Sequence, residues 1–319
     1  MKFAILGAGG IGCYYGARLA AAGHDVVFVA RGLHLKAMQS QGLSVTQNDF
    51  SFNSNVIAVD LDTLMSEFNC EEFDLLILAA KSAATKQIMG DLSDWLSSGS
   101  TPVLSIQNGV RNEEKIAAVV GKMRTLGGLA VRIGGHIVNP GVVQVTGVAE
   151  IEMGIWPNSR VHPDSERYVN SLGSVFNESG IPTSIQENIE YALWKKLIIN
   201  NSVNPLSALT GLDTRQMLAE KSLRNVVYQM MLETAKAANY AGVEIVEKDV
   251  DEMFDLISNF AAIKTSMLVD REKGRPLELD DICGPVLDYY RINNNEAKTT
   301  SLIKTLLESN LHFCAFNVS

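Results

Sequence analysis

The chain has 319 residues and a formal net charge of −9, long enough for two domains with sizeable cores. The acidic balance argues against nucleic acid or an anionic membrane surface as partner, and no apolar run reaches the length of a membrane span. The four cysteines (Cys13, Cys70, Cys283, Cys314) are scattered without a C-x-x-C, and the five histidines (His24, His34, His136, His162, His312) lie far apart. That spacing suggests neither a disulfide framework nor a metal site, fits a reducing cytoplasm, and leaves the histidines as structural or solvent-exposed by default.

Met1 to Leu6 is an apolar run of strand length that meets Gly7-Ala8-Gly9-Gly10-Ile11-Gly12, a G-x-G-x-x-G. Helix-forming sequence continues to Ala22, and a second apolar run, Asp25 to Ala30, stops at Arg31. Strand, glycine turn, helix and strand in this order give the motif the context of a dinucleotide site. Gly7 is assigned the tight turn, Gly9 the close approach of a pyrophosphate, and Gly12 the packing of helix on strand. The free N–H groups and positive dipole end of the helix then face the phosphates, so the whole turn, Gly7, Ala8, Gly9, Gly10, Ile11 and Gly12, is expected to bind the cofactor.

Arg31 stands where an NAD site usually carries Asp or Glu. A guanidinium suits a 2′-phosphate, so the position predicts NADP(H) over NAD(H). Lys81, after the apolar run Asp74 to Ala80, either adds a second positive charge near the same nucleotide or is simply a lysine at a strand end.

Further along, candidate strands fall at 2–7, 25–30, 43–47, 55–59, 74–80 and 102–106, with helices at 10–22, 33–41, 83–97 and 111–120. This alternation predicts a parallel sheet covered by helices on both faces. Residues 124–156, rich in Val and Ile around Asn139-Pro140-Gly141, read as an antiparallel extension of that sheet. A helix over Pro163 to Gly180 and a short strand over Pro182 to Ile185 follow. From there the pattern is helical only, at 187–204, 220–241, 249–262, 280–291 and 298–310, with Ser222 to Ala241 the longest. The predicted fold is α/β, an N-terminal Rossmann-type doubly wound sheet over 1–185 followed by an all-helical C-terminal domain over 186–319.

The helical half carries one unusual stripe. Lys196, Asn200 and Asn204 recur at i, i+4, i+8, on one helix face inside an apolar stretch. Asn is a poor helix former, so two on one face carry a propensity cost; a wet helix face is the equally weighted alternative. Ser266-Met267-Leu268 and, beyond a charged turn, Pro276-Leu277-Glu278-Leu279-Asp280 form a second candidate. Glu278 could anchor a lysine or simply be a helix N-terminal acid, and Ser266 alone is an ordinary helix serine. Asn108-Gly109, at the end of an apolar strand, is either a turn or a group facing a cofactor.

Taken together, Gly7-x-Gly9-x-x-Gly12, Arg31, Lys81, Gln107-Asn108-Gly109, Lys196-Leu-x-x-Asn200-x-x-x-Asn204-Pro205-Leu206, Ser266-Met267-Leu268 and Glu278-Leu279-Asp280 resemble the ketopantoate reductase (2-dehydropantoate 2-reductase) family, in order and over nearly the whole chain. The resemblance implies NADPH-dependent reduction of 2-dehydropantoate to (R)-pantoate, a step of pantothenate and coenzyme A biosynthesis. It implies Lys196 as the general acid and Glu278 as the group that binds substrate hydroxyls and supports the lysine. Asn200 and Asn204 would hold the substrate, Ser266 its carboxylate, Asn108 would sit between cofactor and substrate, and Arg31 and Lys81 would hold the 2′-phosphate. The implied partner is a small-molecule 2-oxo acid, with no nucleic acid, membrane or metal, and a homodimer is the assembly kept open. Two alternatives stand beside this: an NADPH-dependent reductase of another 2-oxo acid, and a non-catalytic NADPH-binding sensor, against which the presence of Lys196, Asn200, Asn204, Ser266 and Glu278 counts.

Overall fold

The computed structural model describes residues 1–48, 50–161, 165–259 and 262–316, with only the backbone course given for 161 and 311–316. His162, the side chains of His312 and Cys314, the start of the helix expected from Pro163, and residues 260–261 of the helix expected to 262 lie outside the described residues. The chain divides into two compact units, Met1–Glu190 and Tyr191–Ser319.

In the first unit the chain runs β1 (Lys2–Leu6), α1 (Gly10–Ala21), β2 (Asp25–Val29), α2 (Gly32–Gln41), β3 (Leu43–Gln47), β4 (Phe50–Ser54), β5 (Ile57–Val59), α3 (Leu61–Glu67), β6 (Leu75–Leu78), α4 (Thr85–Asp91), α5 (Ser93–Ser97), β7 (Val103–Ser105), α6 (Asn112–Val120), β8 (Thr125–Asn139), β9 (Val142–Ile155), α7 (Glu166–Glu178) and β10 (Thr183–Ile185). All ten strands form one sheet in the order β4-β3-β9-β8-β7-β6-β1-β2-β5, with β10 beside β9. From β5 to β8 every pairing is parallel. β1 lies at the centre, Phe3 paired with Val26 on one side and with Leu75 on the other. Because side chains alternate across a strand, Phe3 and Ile5 enter one core with Tyr14, Tyr15, Phe28 and Phe176. Ala4 and Leu6 enter the other with Leu64, Leu92 and Ile116. Burial on both faces is why these strands read as unbroken apolar runs. The chain leaves β1 toward β2 and later returns to β6 on its other side, so the carboxyl ends of β1 and β6 form the switch point of the sheet.

The expected antiparallel extension is the β8–β9 hairpin, irregular between Val131 and Ile133 and between Ile137 and Asn139. Two elements come in addition to the expected ones: β4, where Phe50 and Phe52 alternate, and α3, whose Asp60 caps it by accepting from the Thr63 N–H at 2.8 Å, a usual start signal. The helix expected over 83–97 is a short 3-10 turn followed by α4 and α5; Gly90, a weak helix former, lies beside the break.

The second unit is helical: α8 (Ile189–Thr210, whose first two residues belong to the first unit), α9 (Thr214–Ala219), α10 (Lys221–Tyr240), α11 (Glu247–Asn259), α12 (Ser266–Glu272), α13 (Leu279–Ile282), α14 (Gly284–Ile292) and α15 (Lys298–Phe316). α8, with 22 residues against 20 for α10, is the longest helix described, and it runs through Pro205 instead of ending before it. Residues 201–208 are all buried, so packing outweighs the lost N–H and the local clash. The stretch 280–291 is likewise two helices, interrupted at Cys283. A buried polar knot ties the unit together. Asn201 of α8 donates to Thr234 of α10 at 2.9 Å and to Thr300 of α15 at 3.2 Å. Glu233 accepts from the N–H groups of Thr299 and Thr300, both at 2.8 Å, where a carboxylate complements the helix dipole. Among the described residues, no helix is long and apolar enough to cross a membrane.

Candidate active site

The glycine turn links β1 to α1. Gly7 has φ +99°, and a Cβ there would lie 2.6 Å from the Ala80 nitrogen, so the turn admits glycine alone. Its geometry is pinned by Val29, whose carbonyl accepts from Ala8 at 2.8 Å and from Gly7 at 3.2 Å. A Cβ on Gly12 would meet the Gly7 oxygen at 2.4 Å and Ile5 at 2.8 Å, the close helix–strand approach. Gly10, an unspecified position of the motif, is just as constrained: a Cβ there would fall 2.3 Å from the Gly135 carbonyl of β8. At Gly9, by contrast, an added Cβ would meet no protein atom within 4 Å.

These features fit a dinucleotide. The first-turn N–H groups of α1, from Gly10, Ile11 and Gly12, have no intrahelical acceptor, and no acidic residue stands in that turn to repel phosphate. A helix N-terminus of this kind favours a pyrophosphate, and Gly9 leaves room for one.

Arg31 follows β2 as the N-cap residue of α2, exposed, with no carboxylate in ion-pair range among the described residues. Lys81 follows β6, also exposed, at the head of the 3-10 turn Ser82–Ala84. Since β1 lies between β2 and β6, the two cations stand at strand ends on either side of the glycine turn.

Asn108 lies beyond the carboxyl end of β7, half-buried, followed by Gly109 at φ +98°. Its carbonyl accepts from the Ser82 hydroxyl at 2.6 Å and from the Asn112 amide at 2.8 Å. The buried Gln107 amide donates to the Ala80 carbonyl at 2.8 Å and to Thr85 at 2.9 Å. Side chains thus fasten the end of β7 to the end of β6. Sequence reasoning missed Ser82, Thr85 and Asn112 because the network is defined by pairing of β6 with β7 and by no local pattern. It also missed Glu113, fully buried at the start of α6, whose carboxyl oxygens have no hydrogen-bond partner among the described residues. Burial pushes that carboxyl up to about 7, with the nearby Ser105 hydroxyl and its own backbone N–H opposing the shift only in part, because the charged form is costly away from water.

In the second unit, Lys196, Asn200 and Asn204 share one face of α8; the first two are half-buried and Asn204 is buried. The adjacent Lys195 is occupied elsewhere, 3.1 Å from Glu252 and 3.6 Å from Asp249 of α11. Successive residues of a helix point about 100° apart, so the two lysines serve different surroundings. Ser266 opens α12, exposed, after Thr265, whose hydroxyl accepts from the Leu268 N–H at 3.2 Å. Arg271 fastens α12 to the end of α8 through the carbonyls of Ala208 and Leu209. Glu278 precedes α13, half-buried, and its side chain makes no capping hydrogen bond.

A family model described as "Ketopantoate reductase PanE/ApbA" matches residues 3–158, and one described as "Ketopantoate reductase PanE/ApbA C terminal" matches residues 188–310. The doubly wound sheet, the glycine turn and these matches define an oxidoreductase acting on CH–OH groups. The chain is 31% identical to a 2-dehydropantoate 2-reductase of Pyrococcus abyssi, with 97% of each chain covered. The crystal structure of 2-dehydropantoate 2-reductase from Geobacter metallireducens superposes with a TM-score of 0.84 at 28% identity, covering 97% of this chain and 100% of that one. A D-mandelate dehydrogenase solved with NADH and anilino(oxo)acetate has the same fold, with a TM-score of 0.87, 22% identity and 98% coverage of both chains. The chain belongs to the ketopantoate reductase family.

Proposed function

We propose that this chain reduces 2-dehydropantoate to (R)-pantoate with NADPH. The observation that carries the reading is the Lys196–Asn200–Asn204 face on α8, in a chain whose curated relative at 31% identity bears that enzyme's name. The glycine turn from Gly7 to Gly12 would hold the pyrophosphate, Arg31 and Lys81 the 2′-phosphate, and Asn108 the nicotinamide end. When bound, the cofactor supplies the hydride that the carbonyl carbon of the 2-oxo acid accepts.

Lys196 carries a proton on its ammonium group and gives it to the carbonyl oxygen as negative charge develops there. Its neutral amine then recovers a proton from solvent. Glu278 accepts hydrogen bonds from substrate hydroxyls and supports the ammonium form. Asn200 and Asn204 donate amide hydrogens to the substrate, and Ser266 donates to its carboxylate.

The test is NADPH oxidation with 2-dehydropantoate beside 2-oxoisovalerate and pyruvate. Turnover selective for 2-dehydropantoate, with kcat/KM of about 10⁴ M⁻¹s⁻¹ or more, supports the proposal. Faster turnover of another acid makes the chain a reductase of that acid, a reading consistent with the fold shared with a mandelate dehydrogenase. Tight NADPH binding without turnover of any acid favours a sensor.

A further inference from the structure

His34, in the first turn of α2, joins three parts of the first unit. Its Nδ1 accepts from the Gly141 N–H of the β8–β9 turn at 3.0 Å. Its Nε2 lies 3.4 Å from the Cys13 sulfur of α1, and the Cys13 thiol donates to the Ala8 carbonyl of the glycine turn at 3.2 Å. Cys13 thus links the imidazole to the glycine turn. A ring whose Nδ1 accepts from a backbone N–H carries its neutral-state proton on Nε2. His34 therefore meets an N–H donor on one side with a lone pair, and on the other its N–H meets the Cys13 sulfur, whose own thiol proton holds the Ala8 carbonyl.

We propose that His34 is a positioning residue: its neutral form braces the glycine turn and the Arg31 segment against the β8–β9 turn, and its protonation releases that brace and weakens nicotinamide nucleotide binding. The inference rests on the nucleotide-binding reading of the first unit given above.

Protonation would place a second donor at Nδ1, facing the Gly141 N–H, and that hydrogen bond cannot survive it. The half-buried ring resists the change: burial holds its pKa below the ordinary histidine value, with the Ala8 carbonyl opposing the shift. Few other charges bear on it. From α1 it meets the Cys13 thiol, kept protonated by burial. From the glycine turn it meets a carbonyl, and from the β8–β9 turn an uncharged Asn139-Pro140-Gly141. β5, packed against α2, contributes only Ile57–Val59. On α2 itself the charged neighbours are Arg31 and Lys36, both exposed. Arg31 and His34 sit three residues apart, so the expected 2′-phosphate contact and the brace are parts of one rigid segment.

The experiment compares NADPH dissociation constants of the wild type and His34→Asn by nucleotide fluorescence from about pH 7.5 to about pH 5.5, with His34→Gln as a second variant that cannot titrate. Titration of the cofactor's own phosphate is common to all three proteins and cancels in the ratio. The expected result is a wild-type Kd that rises, relative to the variants, by about threefold or more as the pH falls. Nitrogen-15 NMR of the wild-type imidazole is expected to show the Nε2–H tautomer near neutral pH, a readout independent of whether the variants fold. Parallel profiles, or an Nδ1–H tautomer, overturn the role of His34 alone. A wild type that binds no NADPH at any pH overturns the nucleotide reading itself, and this role with it.

Discussion

Gly10 of α1 and Gly135 of β8 face each other so closely that neither has room for a side chain: a Cβ on the first would lie 2.3 Å from the second's carbonyl, and a Cβ on the second 2.8 Å from the first's carbonyl carbon. The contact separates two kinds of glycine in one motif. Gly10→Ala should force backbone apart and cost about 1–3 kcal/mol, read as a lower melting temperature. Gly9→Ala, with no protein atom in the way, should leave the melting temperature unchanged and weaken NADPH binding by about tenfold or more, as about 1.4 kcal/mol of lost contact requires. The reverse pattern would remove the pyrophosphate from Gly9.

The two adjacent lysines of α8 should separate chemistry from stability. We expect Lys196→Ala to lower kcat by about 10²–10⁴-fold, the usual range for a lost general acid, while the NADPH dissociation constant stays within about twofold. Lys195→Ala, which loses the contacts to Glu252 and Asp249, should keep kcat. Near-normal turnover by Lys196→Ala would end the assignment of the proton donor.

Arg31 should set cofactor preference. Its guanidinium matches a 2′-phosphate, so Arg31→Ala should raise KM for NADPH about tenfold or more while barely changing KM for NADH. Steady-state kinetics with both nucleotides decides it, and equal effects on the two would exclude 2′-phosphate recognition.

Glu113 should make stability depend on pH. Its folded-state pKa, about 7, lies above the ordinary carboxylate value, so the folded protein holds a proton that the unfolded chain gives up. The stabilising contribution is therefore complete below the ordinary value and is lost as pH rises through about 7. At about 1.4 kcal/mol per pKa unit, the loss is on the order of 3 kcal/mol. Melting curves should show the wild type falling relative to Glu113→Gln between about pH 5 and pH 8; identical slopes would mean that the carboxyl finds a partner when it ionises.

What the sequence made legible is what repeats locally. The glycine turn, the alternation of strand and helix, and the Lys196 face of α8 all follow from spacing and periodicity. Gly10 could not be distinguished from an ordinary motif filler, because the atom that constrains it lies more than a hundred residues away in β8. The fastening of Asn108 by Ser82 and Asn112 needs β6 and β7 to be neighbours first. Pro205 misled for the opposite reason: a strong local stop signal was overruled by the burial of the turn that carries it. Glu113, one of two successive acids on a short helix, carries nothing in its neighbourhood that announces burial.

The register of the sheet also sets the order in which the protein can be made. β1 waits for β6, roughly seventy residues later, and β3 waits for β9, roughly a hundred residues later, before either has its full set of partners. A nascent chain that has exposed only the glycine turn therefore shows unpaired strand edges to its surroundings through much of its synthesis. The β8–β9 hairpin, whose Gly135 closes on Gly10, is the piece whose emergence lets the central sheet lock. Ribosome-stalled chains ending before and after that hairpin should differ sharply in their resistance to protease.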